Sequence, residues 1–204
     1  SDNYTLAFRR SKNSSEARRI NFDSISDHDY NMPITINEYN AALKVCKETA
    51  PGLDKITFNM ILNCYDSLHK LILDTFNKIF SQRLFPPKWK TAIIIPIPKP
   101  DKDHSDPINY RPISLTICLC KLMEKILNVR LMWYLETREL IAPLQLGFRR
   151  NRSTTDNLIQ LENAALKAIQ EKKHLIAVFF DIQKAYDTAW RYGIIKKLHD
   201  YGLR

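Results

Sequence analysis

The residues best suited to chemistry lie near the C-terminal end, in Val178-Phe179-Phe180-Asp181-Ile182-Gln183-Lys184-Ala185-Tyr186-Asp187. An apolar run with the texture of a strand delivers the carboxylate of Asp181, and an aromatic ring, Tyr186, follows five residues later. Phosphodiester synthesis needs carboxylates that hold two divalent ions about 4 Å apart, one activating the attacking hydroxyl and the other bound to the triphosphate. Hard oxygen donors suit Mg²⁺, which keeps much of its hydration and takes further ligands from substrate phosphates. Asp181 is the candidate ligand. An aspartate at a strand end also serves as a helix cap or a turn residue, and that reading stands beside the catalytic one.

Two other clusters have the residue types that meet phosphate. Lys99, between Pro98 and Pro100, and Arg111 flank a polar turn, and an antiparallel pairing of Thr91-Ala92-Ile93-Ile94-Ile95-Pro96-Ile97 with Asn109-Tyr110-Arg111-Pro112-Ile113-Ser114-Leu115 brings both onto one mobile projection. Arg offers phosphate a bidentate fork and Lys a point charge. Solubilising charges on an exposed hairpin are the plain alternative. The second cluster is Gln145-Leu146-Gly147-Phe148-Arg149-Arg150-Asn151-Arg152-Ser153-Thr154. Gly147 beside an aromatic lets backbone approach a nucleic-acid strand, and Arg149, Arg150 and Arg152 can meet its phosphates. Lying just before a helix N-terminus, the segment could offer free N–H groups to an anion, and an ordinary surface loop accounts for it as well.

The elements that must carry these groups follow from periodicity. Thr35 and Glu38 have capping-box spacing ahead of Tyr39, Ala42, Leu43 and Cys46, which predicts a short helix ending near Thr49, broken by Pro51-Gly52. Leu68, Leu71, Ile72, Thr75, Phe76, Ile79 and Phe80 predict a longer helix closed by Pro86-Pro87. Prolines 96, 98 and 100 confine the β-branched run at 91–97 to an edge or to a strand that leaves the sheet. Leu119 to Leu135 predicts a helix of about five turns, and Ser153 with Asp156 caps another bearing Leu158, Leu161, Ala165, Ala168 and Ile169. A strand over 177–182 and a last helix over 192–203 complete the pattern. Residues 1–33, polar and aperiodic with basic pairs Arg9-Arg10 and Arg18-Arg19, read as an extended or disordered lead-in.

Composition bounds the partners. The chain has 204 residues, 45% hydrophobic and 26% charged, enough for a sizeable core in one or two domains. The net charge of +9 is concentrated in residues 88–152, with twelve Lys/Arg against six Asp/Glu, so a polyanion would be met there. No apolar run is long enough to cross a membrane. Cys46, Cys64, Cys118 and Cys120 lack zinc spacing and suit a reducing intracellular compartment as buried thiols.

Taken in order, the blocks resemble the reverse transcriptases of non-LTR retrotransposons, most closely the arthropod Jockey-type branch. The matching residues are Ala50-Pro51-Gly52-Leu53-Asp54-Lys55-Ile56, Trp89-Lys90 running to Lys99-Pro100, Asn109 to Leu115, Gln145 to Arg149, and Ala177-Val178-Phe179-Phe180-Asp181 running to Trp190. The resemblance implies an α+β fold, the fingers and partial palm of a right-hand polymerase over residues 34–204. It implies Asp181 and the Ile182 carbonyl as ligands of Mg²⁺ or Mn²⁺, and Lys99 and Arg111 on the triphosphate. Tyr186 would lie under the sugar to reject a 2′-hydroxyl; a ring packed beneath the sheet is the alternative. Gln145, Gly147, Phe148 and Arg149 would lie near template and primer, and Asp187 would be a structural partner. Implied partners are an RNA template, a DNA primer or target DNA, and dNTPs, with no membrane, in the nucleus and cytoplasm. The chain stops before the family's aromatic-x-Asp-Asp turn, so the sequence reads as a fragment that is inactive alone. A catalytically dead or domesticated nucleic-acid-binding remnant is the competing function; a group II intron relative fits the blocks less well.

Overall fold

The computed structural model describes residues 6–18, 20–22, 28–182 and 185–203. Its helices are α1 (Leu6–Glu16), α2 (Ile36–Lys44), α3 (Phe58–Leu62), α4 (Asp66–Gln82), α5 (Cys118–Thr137), α6 (Thr154–Gln170), α7 (Ala185–Thr188) and α8 (Arg191–Asp200). Strands β1 (Ile93–Pro98) and β2 (Tyr110–Leu115) make the one sheet among the described residues, consistent with an α+β fold. Contacts divide the chain into two units, Asp27–Thr137 and the terminal residues 1–26 with 138–204.

In the first unit α2 forms where its cap is written. Thr35 Oγ1 accepts from the Glu38 N–H at 3.3 Å while the Thr35 N–H donates to Glu38 Oε2 at 2.8 Å, so two otherwise orphaned donors are satisfied together. The helix stops at Lys44, short of the predicted Thr49, where the Cys46 N–H turns back to the Leu43 carbonyl. Its buried Tyr39, Ala42 and Leu43 join Phe58, Ile61, Ile72, Phe76, Cys118, Leu122, Met123 and Ile126 in one core. Each large side chain withdrawn from water there contributes about 1.5–3 kcal/mol. On α4 only Ile72 and Phe76 of the predicted face are fully buried, and Leu71 is exposed. The helix ends on Arg83, whose φ of 55° places it in the left-handed region ahead of Pro86-Pro87.

Arg130 ties α5 to the chain entering α2. Its Nε and Nη2 donate to the two Glu38 carboxylate oxygens at 2.6 and 2.8 Å, and its remaining N–H groups reach the carbonyls of Tyr30, Met32 and Pro33. Across the same entry, the Asn77 side chain receives the Ile34 N–H at 2.6 Å and donates to the Ile34 carbonyl at 3.0 Å. Residues 28–33 are therefore held in place, not trailing as the lead-in reading expects.

The predicted hairpin is present, with Ile93 paired to Leu115 and Pro98 to Tyr110. Beyond it the Lys99 N–H donates to the Asn109 carbonyl at 2.8 Å. That bond sets the parity of the antiparallel ladder and puts Pro96, Pro98 and Pro112 at non-hydrogen-bonded positions, where a missing N–H costs no cross-strand bond.

Two expectations fail in the other unit. The predicted strand over 177–182 is absent: residues 173–182 have no regular structure, and Val178, Phe179 and Phe180 are 67%, 82% and 90% exposed. A strand exists only when a neighbour takes up its backbone groups, and no described residue pairs with this run. The lead-in reading fails again at α1, which docks beside α8. Trp190 Nε1 donates to Glu16 at 2.7 Å, the Phe8 and Trp190 rings meet edge-on at 5.6 Å, and the Tyr192 hydroxyl lies against the carbonyls of Ser15 and Arg18. Residues 1–5, Arg19 and residues 23–27 of that predicted segment lie outside the described residues. The last helix, predicted over 192–203, ends at Asp200.

Candidate functional site

The hairpin places Lys99 and Arg111 on one face. Arg111 lies opposite Ile97 and Lys99 opposite Asn109, and since alternate residues of a strand share a face, the two residues are diagonal neighbours whose backbone positions stand about 7–8 Å apart. Arg111 is exposed and Lys99 half-buried. The Lys99 ammonium donates to the Ile108 carbonyl at 2.8 Å, so one of its three donors closes the turn. The turn is bonded throughout: Asn109 Nδ2 donates to the Asp103 carbonyl at 2.7 Å, the Tyr110 hydroxyl to the His104 carbonyl at 3.0 Å, and the Ile108 N–H to Asp106 at 2.9 Å. The Ser105 hydroxyl and N–H hold the Asp103 carboxyl below its usual range. This projection is a braced tip more than the loose one expected.

The loop before α6 is anchored by Leu146, 5% exposed, and by the Gln145 N–H donating to the Ala142 carbonyl at 2.9 Å. Arg149 folds back on that turn, its Nη1 donating to the Gln145 carbonyl at 3.2 Å, whereas Arg150 and Arg152 are exposed. Phe148 is 92% exposed with φ of 60°, and a side chain built on Gly147 would meet nothing within 4 Å. Packing among the described residues therefore does not explain the glycine. The N-terminus of α6 is taken by its own acid: the Ser153 N–H donates to Asp156 at 2.6 Å, and the Ser153 bonds pull that carboxyl below its usual range. An anion cradle at this helix end is thus already filled by a carboxylate.

Asp181, Ile182 and Tyr186 are all exposed, Tyr186 at 82% within α7, so the ring is not packed under a sheet. Gln183 and Lys184 between them lie outside the described residues. Among the described residues no group of three His, Cys, Asp or Glu could hold a metal ion, and the described residues alone do not make a divalent-cation site. Sequence reasoning missed the Arg130 staple and the seat of α1 on Trp190, whose contacts span 92 or more residues and leave no local signal.

The family model described as reverse transcriptase (RNA-dependent DNA polymerase) matches residues 97–204, more than half of the chain, and takes in the hairpin tip, the arginine loop and Asp181. The chain belongs to the reverse transcriptase family. It is 35% identical over 168 residues to the probable RNA-directed DNA polymerase from transposon BS of Drosophila melanogaster, 81% of this chain and 18% of that protein. It is 33% identical over 165 residues to the RNA-directed DNA polymerase from mobile element jockey of the same species, 80% of this chain and 18% of that protein. Against the Pol polyprotein of type-1 retrotransposable element R2 from Popillia japonica the identity is 29% over 181 residues, 86% of this chain and 23% of the relative. The expected likeness to Jockey-type non-LTR elements is borne out. This reverse transcriptase chain spans less than a fifth of the length of the first two relatives. No described helix is long and apolar enough to cross a membrane.

Proposed function

We propose that the chain is the part of an RNA-directed DNA polymerase that receives the incoming deoxynucleotide and the template–primer, the fingers and first part of the palm over residues 34–204. The observation that supports this reading is the shared hairpin face of Lys99 and Arg111, which puts two cations on one side of one projection, where both can meet a triphosphate. The Arg111 fork orients the triphosphate, and the Lys99 ammonium, with two donors left, adds charge at the braced tip. Exposed Asp181 and the Ile182 carbonyl are oxygen donors suited to part of a divalent cation's shell. When bound, Mg²⁺ or Mn²⁺ supplies activation of the primer hydroxyl and charge neutralisation at the leaving group. Tyr186, whose exposed ring leaves it available to a ligand, is the residue that would clash with a 2′-hydroxyl. Arg150 and Arg152 meet the phosphates of the template–primer, with Gln145, Gly147, Phe148 and Arg149 lying near it. The intact protein copies retrotransposon RNA at a nicked chromosomal target, working in nucleus and cytoplasm.

The test is primer extension on an RNA template with the full-length protein. Asp181→Asn is expected to abolish incorporation of every nucleotide in a folded protein. Tyr186→Val is expected to raise the ribonucleotide to deoxynucleotide ratio of kcat/KM by on the order of 100-fold. The 204 residues alone are expected to give no extension. An unchanged ratio in a folded Tyr186→Val enzyme sinks the sugar-gate role, and full activity of Asp181→Asn sinks the catalytic assignment.

A further inference from the structure

The block Ala50-Pro51-Gly52-Leu53-Asp54-Lys55-Ile56 packs against the base of the hairpin, and its contacts point to a task. Gly52 is buried against the chain where β2 turns into α5. A Cβ built on it would stand 2.7 Å from the Ile117 nitrogen, 2.9 Å from the Thr116 carbonyl carbon and 3.0 Å from the Ile117 Cα. These are backbone atoms and cannot rotate away, so any residue but glycine must move one of the two segments. The loop is made for the approach. The Lys55 N–H closes a turn on the Gly52 carbonyl at 3.1 Å with Lys55 itself at φ 58°, and the Ile56 N–H donates to Asp54 at 3.3 Å. From α5, Lys121 Nζ reaches the Ala50 carbonyl at 3.1 Å and the Thr49 hydroxyl at 3.4 Å. Residues 116 and 117 are the root of the hairpin, and Ile117 and the Cys118 that follows it are buried.

We propose that Gly52 and Lys121 are positioning residues for the incoming nucleotide: they fix the root of the hairpin and thereby the aim of Lys99 and Arg111. This rests on the reading of those two cations as the triphosphate grip. The hairpin acts as a lever. Six residues of strand at about 3.4 Å each put Lys99 about 20 Å from the root, and the strands are about 5 Å apart. Bringing a 2.7 Å clash out to ordinary contact takes about 0.7–1 Å. Taken up as tilt across the root, that movement displaces the tip by about 3 Å, more than a phosphate-binding geometry tolerates.

The test uses steady-state incorporation by the full-length protein. Gly52→Ala and Lys121→Met are each expected to raise the KM for dNTP by on the order of 10-fold with kcat within about threefold and an unchanged melting temperature for Lys121→Met. Lys121→Arg, which retains donors for Ala50 and Thr49, is expected to stay near wild type. Lys99→Ala and Arg111→Ala run alongside. If they leave KM unchanged, the triphosphate grip fails and this inference with it. If they raise KM while Lys121→Met and a folded Gly52→Ala do not, the grip stands and the positioning role is overturned. Should Gly52→Ala fail to fold, Lys121→Met decides alone. A fall in stability with wild-type KM in both variants would reduce the contact to packing and overturn the proposal.

Discussion

Replacing Glu38 by Gln tests the Arg130 staple through its pH dependence. The Arg130 guanidinium, donating to both carboxylate oxygens, holds the Glu38 carboxyl down at about 2 against an ordinary 4.5; partial burial works the other way, and the Thr35 bonds add to the lowering. Such a displacement amounts to about 3.4 kcal/mol if carried wholly into stability. Because 32% of the Glu38 side chain still meets solvent, screening reduces this to roughly 1.5 kcal/mol. A carboxyl whose folded pKa lies below its unfolded value stabilises the fold fully above the unfolded value and loses that contribution as pH falls through the folded one. The window here is therefore from about pH 4.5 down to about 2. Gln keeps the length and, at the third helical position, the reach back to the Thr35 N–H, so the capping box survives the change. Urea unfolding followed by far-UV circular dichroism should show Glu38→Gln less stable than wild type by roughly 1.5 kcal/mol at pH 7, the gap closing between pH 4.5 and 2. All other carboxyls cancel in the difference. A gap constant from pH 7 to 2.5 would show that Glu38 acts by shape alone and refute the ion-pair argument.

Burial, then the Glu124 carboxylate, pushes the Cys120 thiol up to about 12, and burial raises Cys118. At pH 8 only about one Cys120 in 10,000 is thiolate, so iodoacetamide mass labelling should spare both thiols in the native chain and modify them in urea; native labelling of Cys120 at the unfolded rate would contradict its placement. For single-stranded RNA, replacing Arg149, Arg150 and Arg152 by Ala should shallow the slope of log affinity against log salt by about 1.4, since Arg150 and Arg152 are exposed while Arg149 is folded onto Gln145. Equal slopes for the two proteins would remove these arginines from the interface.

What could be read in advance is what neighbouring residues decide among themselves. The Thr35 and Glu38 cap, the Ser153 and Asp156 cap and the pairing of residues 91–97 with 109–115 each depend on groups a few positions apart, and each formed. The run at 177–182 has the β-branched and aromatic content of a strand, but that content records how well side chains suit a pleated neighbour, and the described residues supply none. Residues 6–16 failed in the other direction. Their polarity hid a helix whose seat is Trp190 and Tyr192, more than 170 residues away in sequence. The site divides in the same way: the common face of Lys99 and Arg111 follows from strand alternation, whereas the Lys99 ammonium bond to Ile108 and the fold-back of Arg149 depend on how each turn closes.

The prolines of the hairpin join these two levels. Read along the chain, Pro96 and Pro98 only demote a strand. Placed in register, with Pro96 opposite Pro112, they fall where each strand's N–H would point away from its partner. Both outer edges of the sheet consequently lack donors at those positions, and a third strand finds too few groups to pair with. The sheet stays two strands wide although Ile94, Ile95, Ile97 and Ile113 are exposed on it, a composition that would otherwise invite another edge. Among the described residues the hairpin pairs with no further strand, and its root is where α5 and the 50–56 loop hold it. That leaves the aim of Lys99 and Arg111 to the few contacts there, Gly52 against Ile117 and Lys121 against Ala50 among them.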